Sequence, residues 1–341
     1  MALYIPTIQT KYIMPAAIDD RVIRGLNEAG VIDADTFQIT GQGGDYVSVP
    51  ELVRAANFAH QTIQSTSAAS FTAVASADDK AVVLNDISAN TFYKSQLRQV
   101  NEKLGQEIST TIGQRIAKRL SSQTLAGADA QIKAMSTSHS YVAGAADPSI
   151  ATGTALAGMT VQNFLAARKV MKDYVDDLVA CVIHPDIWNQ LIKDLVTNYK
   201  YAAVQPFTEA IASGMLGTLL GIGKWIVTTL TPVGAGAASS AGDDQYSTLV
   251  FGQKQIGIAF QQEPEVEWST TDEMNGGVGI TNQDTVIYLK TTMRYLSHLR
   301  RIAWNSTANP SDANFADYTK YTDVSQDHRD VKAVRIVTTN A

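Results

Sequence analysis

The chain has 341 residues, 45% apolar and 18% charged, the balance of a globular protein long enough to divide a large core between two subdomains. Its net charge of -6 excludes a protein that grips nucleic acid through overall charge, since counterion release needs clustered Lys and Arg, but does not exclude a container for it. One cysteine, Cys181, excludes an intramolecular disulfide framework and fits a reducing cytoplasm. Met1 to Pro6 carries no secretory pattern, and no run of about 18 apolar residues marks a membrane span.

In chain order, Met1 to Asp35 contains Pro6 and Pro15, then a short helical pattern in Ile18, Val22, Ile23 and Leu26, too thin for a domain of its own. Gly41 to Gly44 marks a turn, and Tyr46 to Pro50 alternates as a half-buried strand does, with Ala81 to Leu84 as the returning strand. Between them, twelve of the sixteen residues from Thr62 to Ala77 are Ser, Thr or Ala, with only Ile63, Phe71 and Val74 as large apolar groups. Such a segment buries too little surface to order itself. Two readings stay open: a flexible surface loop, or an arm ordered by lying on a neighbouring subunit.

From Gln96 to Ala126 the pattern changes to a long amphipathic helix, with Val100, Leu104, Ile108, Ile112, Ile116 and Leu120 recurring every fourth residue among charged ones. About 25 residues at the helical rise span roughly 38 Å, and a four-residue step makes the stripe wind, so it meets different elements along its length. Gly105, Ser109 and Gly113 form a small-residue row that permits close approach.

Ala126 to Gly158 reads as a connection. Thr160 caps a second helix carrying Val161, Phe164, Leu165, Arg168 and Met171; Leu178 to Ile183 is a buried strand; Pro185 and Asp186 open a helix with Ile187, Leu191, Ile192 and Leu195. Tyr199 to Leu216 reads as a loop with a short helical piece. Trp225 to Val227, Thr248 to Phe251, Gln255 to Gln261 and Val266 to Trp268 read as strands, Thr285 to Trp304 as one long strand, and Val331 to Val337 as a strand to be added at an edge. Helices and strands are mixed without regular alternation, which gives an α+β fold rather than a doubly wound sheet.

The chemical motifs are thin. His184-Pro185-Asp186 copies the tripeptide of J-domain co-chaperones, but a buried strand precedes it here, where those proteins have a helix. Cys181 and His184 have the residue types of a thiol nucleophile and its base, yet they lie three apart across a strand end, where alternation turns them to opposite faces. His60, His139, His298 and His328 show no zinc spacing. Gly217 to Lys224 fails as a phosphate loop, because Thr218 replaces the first glycine and Trp225 stands where Ser or Thr would reach magnesium. Asn305-Ser306-Thr307 is a glycosylation sequon without meaning in the absence of secretion. No catalytic residue, metal ligand or cofactor site is expected.

A composite of motifs does resemble a known family. Val182-Ile183-His184-Pro185-Asp186 with Trp188, Leu219-Leu220-Gly221 leading into Trp225-Ile226-Val227, Leu249 to Gly252 leading into Ile256 to Ile258, Val266-Glu267-Trp268 and the long strand with Arg294 follow in order. Upstream stand the helix from Gln96 to Ala126 and the segment from Thr36 to Ser95. In order and spacing this is similar to the major capsid proteins of tailed bacteriophages, with their Hong Kong 97-like fold.

The resemblance implies an N-terminal arm (1–35), an extended loop (36–95), a peripheral domain on the long spine helix (96–159 and 252–304), an axial domain (160–251) and a C-terminal extension (305–341). It implies inter-subunit contacts at Ile63, Phe71 and Val74 of the extended loop and at Tyr199, Tyr201 and Phe207 of the axial loop. It implies a non-enzymatic protein without cofactors that assembles with itself, as hexamers and pentamers, into an icosahedral shell around double-stranded DNA. The shell would be a virion built in the bacterial host cytoplasm, with a portal and no membrane. The usual proline after Leu-Leu-Gly is replaced by the Gly223-Lys224 region, and the charge-rich N-terminal extension of self-scaffolding members is missing, which favours a separate scaffolding protein. The competing readings are the encapsulin-like shell of a bacterial nanocompartment, which has the same fold around protein cargo, and a soluble thiol hydrolase using Cys181 or a histidine.

Overall fold

The computed structural model describes residues 20–33, 46–54, 75–93, 102–135, 139–145, 157–198, 220–234, 244–271, 286–307, 310–325 and 328–340. Helix α1 (Arg21–Glu28) is capped by the Asp20 carboxylate, which accepts from Val22 N at 3.1 Å, and buries Val22 and Leu26. After the short strand β1 (Ile32–Asp33) come β2 (Tyr46–Arg54) and β3 (Ala75–Tyr93). These two pair antiparallel with Tyr46 opposite Val82, so the two expected strands are partners and β3 is far longer than its apolar centre.

Helix α2 (Glu102–Ala134) has 33 residues, about 50 Å at the helical rise. The expected helix ended at Ala126; the added turns are poor in large apolar residues because they pack closely instead. Gly127 lets the Phe315 ring lie where a Cβ would stand, 2.5 Å or less from two ring carbons. Beyond it follow β4 (Ser140–Val142), α3 (Val161–Lys169) capped by Thr160 Oγ1 from Asn163 N at 3.1 Å, β5 (Leu178–Ile183), α4 (Pro185–Asn198), β6 (Lys224–Val227), β7 (Val233–Gly234), β8 (Gln245–Gly252) and β9 (Ile256–Thr271). The chain closes with β10 (Val286–Leu299), β11 (Ile302–Trp304), a single helical turn at Asp312–Phe315, β12 (Tyr321–Asp323) and β13 (Ala333–Thr339).

The strands form two main sheets. The first runs β1-β9-β10-β3-β2, antiparallel except for the β1–β9 pair. Two expected segments, Gln255 to Gln261 and Val266 to Trp268, are one strand here, and Pro264 falls in its register shift, between Glu265 opposite Thr292 and Gln262 opposite Arg294. A bulge is where a strand tolerates a residue without an N–H. Conversely the expected strand from Thr285 to Trp304 is broken after Leu299. Arg301 takes a φ of 70°, and its N–H donates to Asp79 at 2.6 Å, a charge-assisted bond that offsets the cost of a left-handed non-glycine residue.

The second sheet runs β4-β13-β8-β5-β6, with β7 also on β8. The C-terminal strand, expected at an edge, lies inside it, antiparallel to β8 and parallel to β4. Every residue of β13 is buried, which an edge strand open on one side does not achieve. Both faces of this sheet are covered. Ala180, Val182, Leu249, Phe251 and Ala333 join α1, α2 and the first sheet in one core, while Cys181, Ile183, Val250, Val334 and Ile336 meet Phe164, Ile187, Leu191 and Leu195 of α3 and α4 in another. That is why β5 reads as a continuous apolar run, and why β8 and β13 carry Leu249 to Phe251 and, either side of Arg335, Ala333, Val334, Ile336 and Val337.

Candidate functional site

The end of β5 carries the two residues with nucleophile and base chemistry, and the fold gives both a structural task. The Cys181 thiol is fully buried among apolar side chains beneath α3 and α4, and burial pushes its pKa well above the ordinary value. A reactive thiolate needs the opposite, an electropositive and accessible setting. His184 is the N-cap of α4: its Nδ1 accepts from Asp186 N at 3.3 Å, its carbonyl accepts from Trp188 N at 2.9 Å, and its ring stacks on Tyr246 at 4.6 Å. Pro185 then occupies the first helical position and Asp186 the first turn, where a negative charge meets the positive helix end. The tripeptide is thus a helix start, and Trp188 locks it by packing on Trp225, 5.1 Å between ring centres.

The Leu219-Leu220-Gly221 motif is explained by a residue that sequence reasoning counted only as helix pattern. Arg168 of α3 is 8% exposed and donates to the carbonyls of Leu220 and of Val175, the latter at 3.1 Å. Burial holds its pKa below the ordinary guanidinium range, opposed by Asp176. Gly221 has a φ of 74°, and a Cβ there would stand 2.7 Å from the Arg168 guanidinium, so glycine is needed for both conformation and space. The signal was present: an arginine on the apolar row of a helix is either paired or clamping carbonyls. Leu165, placed on the same row, is instead 46% exposed.

Two polar clusters fasten the first sheet to α2. In one, Arg119 donates from Nε to Asp86 at 2.9 Å and from Nη2 to Asp86 at 3.0 Å and Asp312 at 2.6 Å, and Tyr295 donates its hydroxyl to Asp86 at 3.1 Å. The pair with Asp86, then Asp312, raises the Arg119 pKa further, while burial raises that of Tyr295. In the other, His298 Nε2 lies 2.7 Å from Asp79, and Gln131 faces the second ring nitrogen while accepting from Leu299 N at 2.6 Å. The side chains of His298 and Asp79 are 1% and 0% exposed, which closes this pair to any substrate. His139 is likewise buried, its Nδ1 2.7 Å from the Ala333 carbonyl.

Beside the first cluster lies a cleft of about 300 Å³, between α2 (Ile112, Arg115, Ile116, Arg119), β3 (Asp86 to Ser88) and β10 (Thr291, Met293). Among the described residues no three His, Cys, Asp or Glu side chains come together as a metal site, and no helix is long and apolar enough to cross a membrane. The contact candidates Ile63, Phe71, Val74, Tyr199, Tyr201 and Phe207 lie outside the described residues.

No protein-family model matches the sequence, and no curated protein matches it. Solved structures do. The chain is similar to the capsid of Ralstonia phage GP4, with a TM-score of 0.55 at 11% identity over 91% of this chain and 90% of that one. It is also similar to a structure from Mycobacterium phage Bobi (0.52, 14%, 92% and 90%) and to the capsid of the cyanophage P-SCSP1u (0.51, 13%, 92% and 87%). At these identities the likeness is one of fold. The α+β arrangement described above is the fold of phage capsid chains.

Proposed function

We propose that this chain is the major capsid protein of a tailed bacteriophage, a structural protein of the virion that assembles with copies of itself into an icosahedral shell enclosing double-stranded DNA. The observation that carries the reading is the extent of the likeness: about nine-tenths of this chain and of the Ralstonia phage capsid chain superpose, with no large domain of either left over. A non-enzymatic role is supported by the buried thiol of Cys181, the capping task of His184 and the closed His298–Asp79 pair. The shell would consist of hexamers and pentamers, with a portal and a separate scaffolding protein, formed in the host cytoplasm.

Within this reading residues 1–35 form an arm, 36–95 an extended loop, 96–159 with 252–304 the peripheral domain and 160–251 the axial domain. Residues 305–341 form a C-terminal extension, of which 333–339 pair with β8 in the second sheet. Ile63, Phe71 and Val74 of the loop, and Tyr199, Tyr201 and Phe207 of the axial segment, are proposed to meet neighbouring copies. Negative-stain imaging of the purified protein should show closed shells, and particles from the native source should have the high 260 to 280 nm absorbance ratio of packaged nucleic acid. Shells with the ratio of protein alone would move the assignment to a nanocompartment, and a small discrete oligomer at every concentration would overturn it.

A further inference from the structure

We infer that His184 is a proton-operated latch on α4: neutral, its Nδ1 holds the first turn of the helix, and protonated, the same nitrogen releases that turn and pairs with the Asp186 carboxylate. Nδ1 lies between two groups of opposite demand. Asp186 N donates to it at 3.3 Å, and Asp186 Oδ2, an acceptor, stands 3.4 Å away. One nitrogen cannot serve both at once. Without a proton it satisfies the amide and leaves the carboxylate to solvent; with a proton it satisfies the carboxylate and orphans the amide. The cap therefore requires the neutral tautomer with its proton on Nε2, and the near-equal distances let the exchange proceed with little movement of the ring.

The surroundings set the two states against each other. The positive end of α4 and the lost cap disfavour an imidazolium, whereas the carboxylate of Asp186, on α4 itself, favours it. On β8 the Tyr246 ring stacks on the imidazole at 4.6 Å. Burial, then the charges of Asp186 and Asp244, raise the Tyr246 pKa, so its hydroxyl stays neutral while the imidazole titrates. Among the described residues these are the titratable groups that face the ring, from α4, from β8 and from the residue preceding β8. The His184 side chain is 14% exposed and so exchanges protons with solvent, unlike the closed His298. Histidine changes charge between about pH 5 and 8, which is the range in which the latch works.

The effect does not stop at one amide. Pro185 has no N–H, so Asp186 N is the first donor of α4, and the turn that it opens carries Trp188. Trp188 N donates to the His184 carbonyl at 2.9 Å and its ring sits 5.1 Å from that of Trp225, so loosening this turn reaches β6. The latch is a property of the single subunit and does not depend on the shell-forming reading.

The test uses the full chain in solution. Hydrogen exchange at the Asp186 amide, corrected for the intrinsic effect of pH, should quicken about fivefold between about pH 8 and about pH 5, the usual worth of a side-chain cap, with Leu249 to Phe251 unchanged. His184→Asn, which caps through an oxygen that does not titrate, should stay slow throughout, and His184→Ala should be fast throughout. Asp186→Asn keeps the amide and removes the charge, and should move the step to lower pH. Imidazole nitrogen NMR shifts read the latch directly: Nδ1 of His184 should be unprotonated at about pH 8 and protonated at about pH 5. Should His184→Asn fail to fold, this spectrum of the parent chain decides alone. A proton on Nδ1 at about pH 8, a parent without the exchange step, or the same step persisting in His184→Asn would overturn the latch. A step unmoved in Asp186→Asn would overturn the carboxylate as its second partner.

Discussion

The two sheets are built from similar strands and kept in different ways. In the second sheet β8 and β13 are buried along almost their whole length, and helices or the shared core cover both faces. In the first, burial is uneven along β3: Ala81 to Leu84 are buried, whereas Ile87, Ser88 and Ala89 on the same strand are exposed. What secures it there is a set of charged and hydrogen-bonded fasteners to α2, Arg119–Asp86–Tyr295 and Asp79–His298–Gln131. One sheet is held by apolar area, which is large and indifferent to direction. The other shares that apolar core through Val82, Leu84, Tyr295 and Leu299 and adds, at its root, polar groups that also fix its angle to the helix.

The sharpest way to break this contrast is a core truncation. Phe251→Ala, in the second sheet, should cost about 3–5 kcal/mol in urea unfolding, because it removes a fully buried ring and leaves a cavity between the sheet and α2. A loss under about 1 kcal/mol would mean that the sheet is not the stabilising centre.

Alkaline pH probes both sheets at once. Burial raises the pKa of Cys181 above its ordinary 9.0 and that of Tyr295 above 10.0. Above those ordinary values the unfolded chain gives up protons that the folded chain keeps, so stability falls as pH rises, by up to about 1.4 kcal/mol per unit for each group. Cys181→Ala should remove the share that begins near pH 9 and Tyr295→Phe the share that begins near pH 10. A denaturation midpoint that is flat from pH 8 to 11 would refute the buried placement of both.

Smaller effects separate the sheets by location. Asp86→Ala should cost about 1–2 kcal/mol, less than a deeply buried pair would, since the Arg119 side chain is 36% exposed and partly screened. Its signature is faster hydrogen exchange at Thr291 to Leu296 with Leu249 to Phe251 unchanged; acceleration in both would mean that the fasteners hold more than the first sheet. His184→Ala should cost about 1 kcal/mol, the worth of an N-cap, with frayed exchange in the first turn of α4 only.

Much of the second sheet was legible because both of its faces are apolar. Leu178 to Ile183, the Pro185 helix start and Trp225 to Val227 were read from runs and caps, and their observed bounds differ by no more than a residue. The failures share a cause. The last turns of α2 were read as a connection because small residues mark both loops and close helix contacts, and only the presence of Phe315 against Gly127 decides between them. The interior place of β13 depends on partners distant in sequence, for which a single run of apolar residues carries no address. The fasteners were missed for the same reason: Asp86, Arg119 and Asp312 are unremarkable charges until the fold brings them within 3 Å. Arg168 was the exception, readable as a charge on an apolar helix row.

The position of β13 also sets an order of events in time. Its neighbours are drawn from Ser140 to Val142 and from Gln245 to Phe251, so the strand fills a slot that earlier parts of the chain leave open during synthesis. Until residue 339 has left the ribosome, β4 and β8 each lack the partner that covers one edge, and the second sheet is unfinished. Pairings so far apart in sequence are slow to form. The second sheet therefore closes only after every one of its other strands has been synthesised, so its core stays open along the β4 and β8 edges until residues 333–339 arrive.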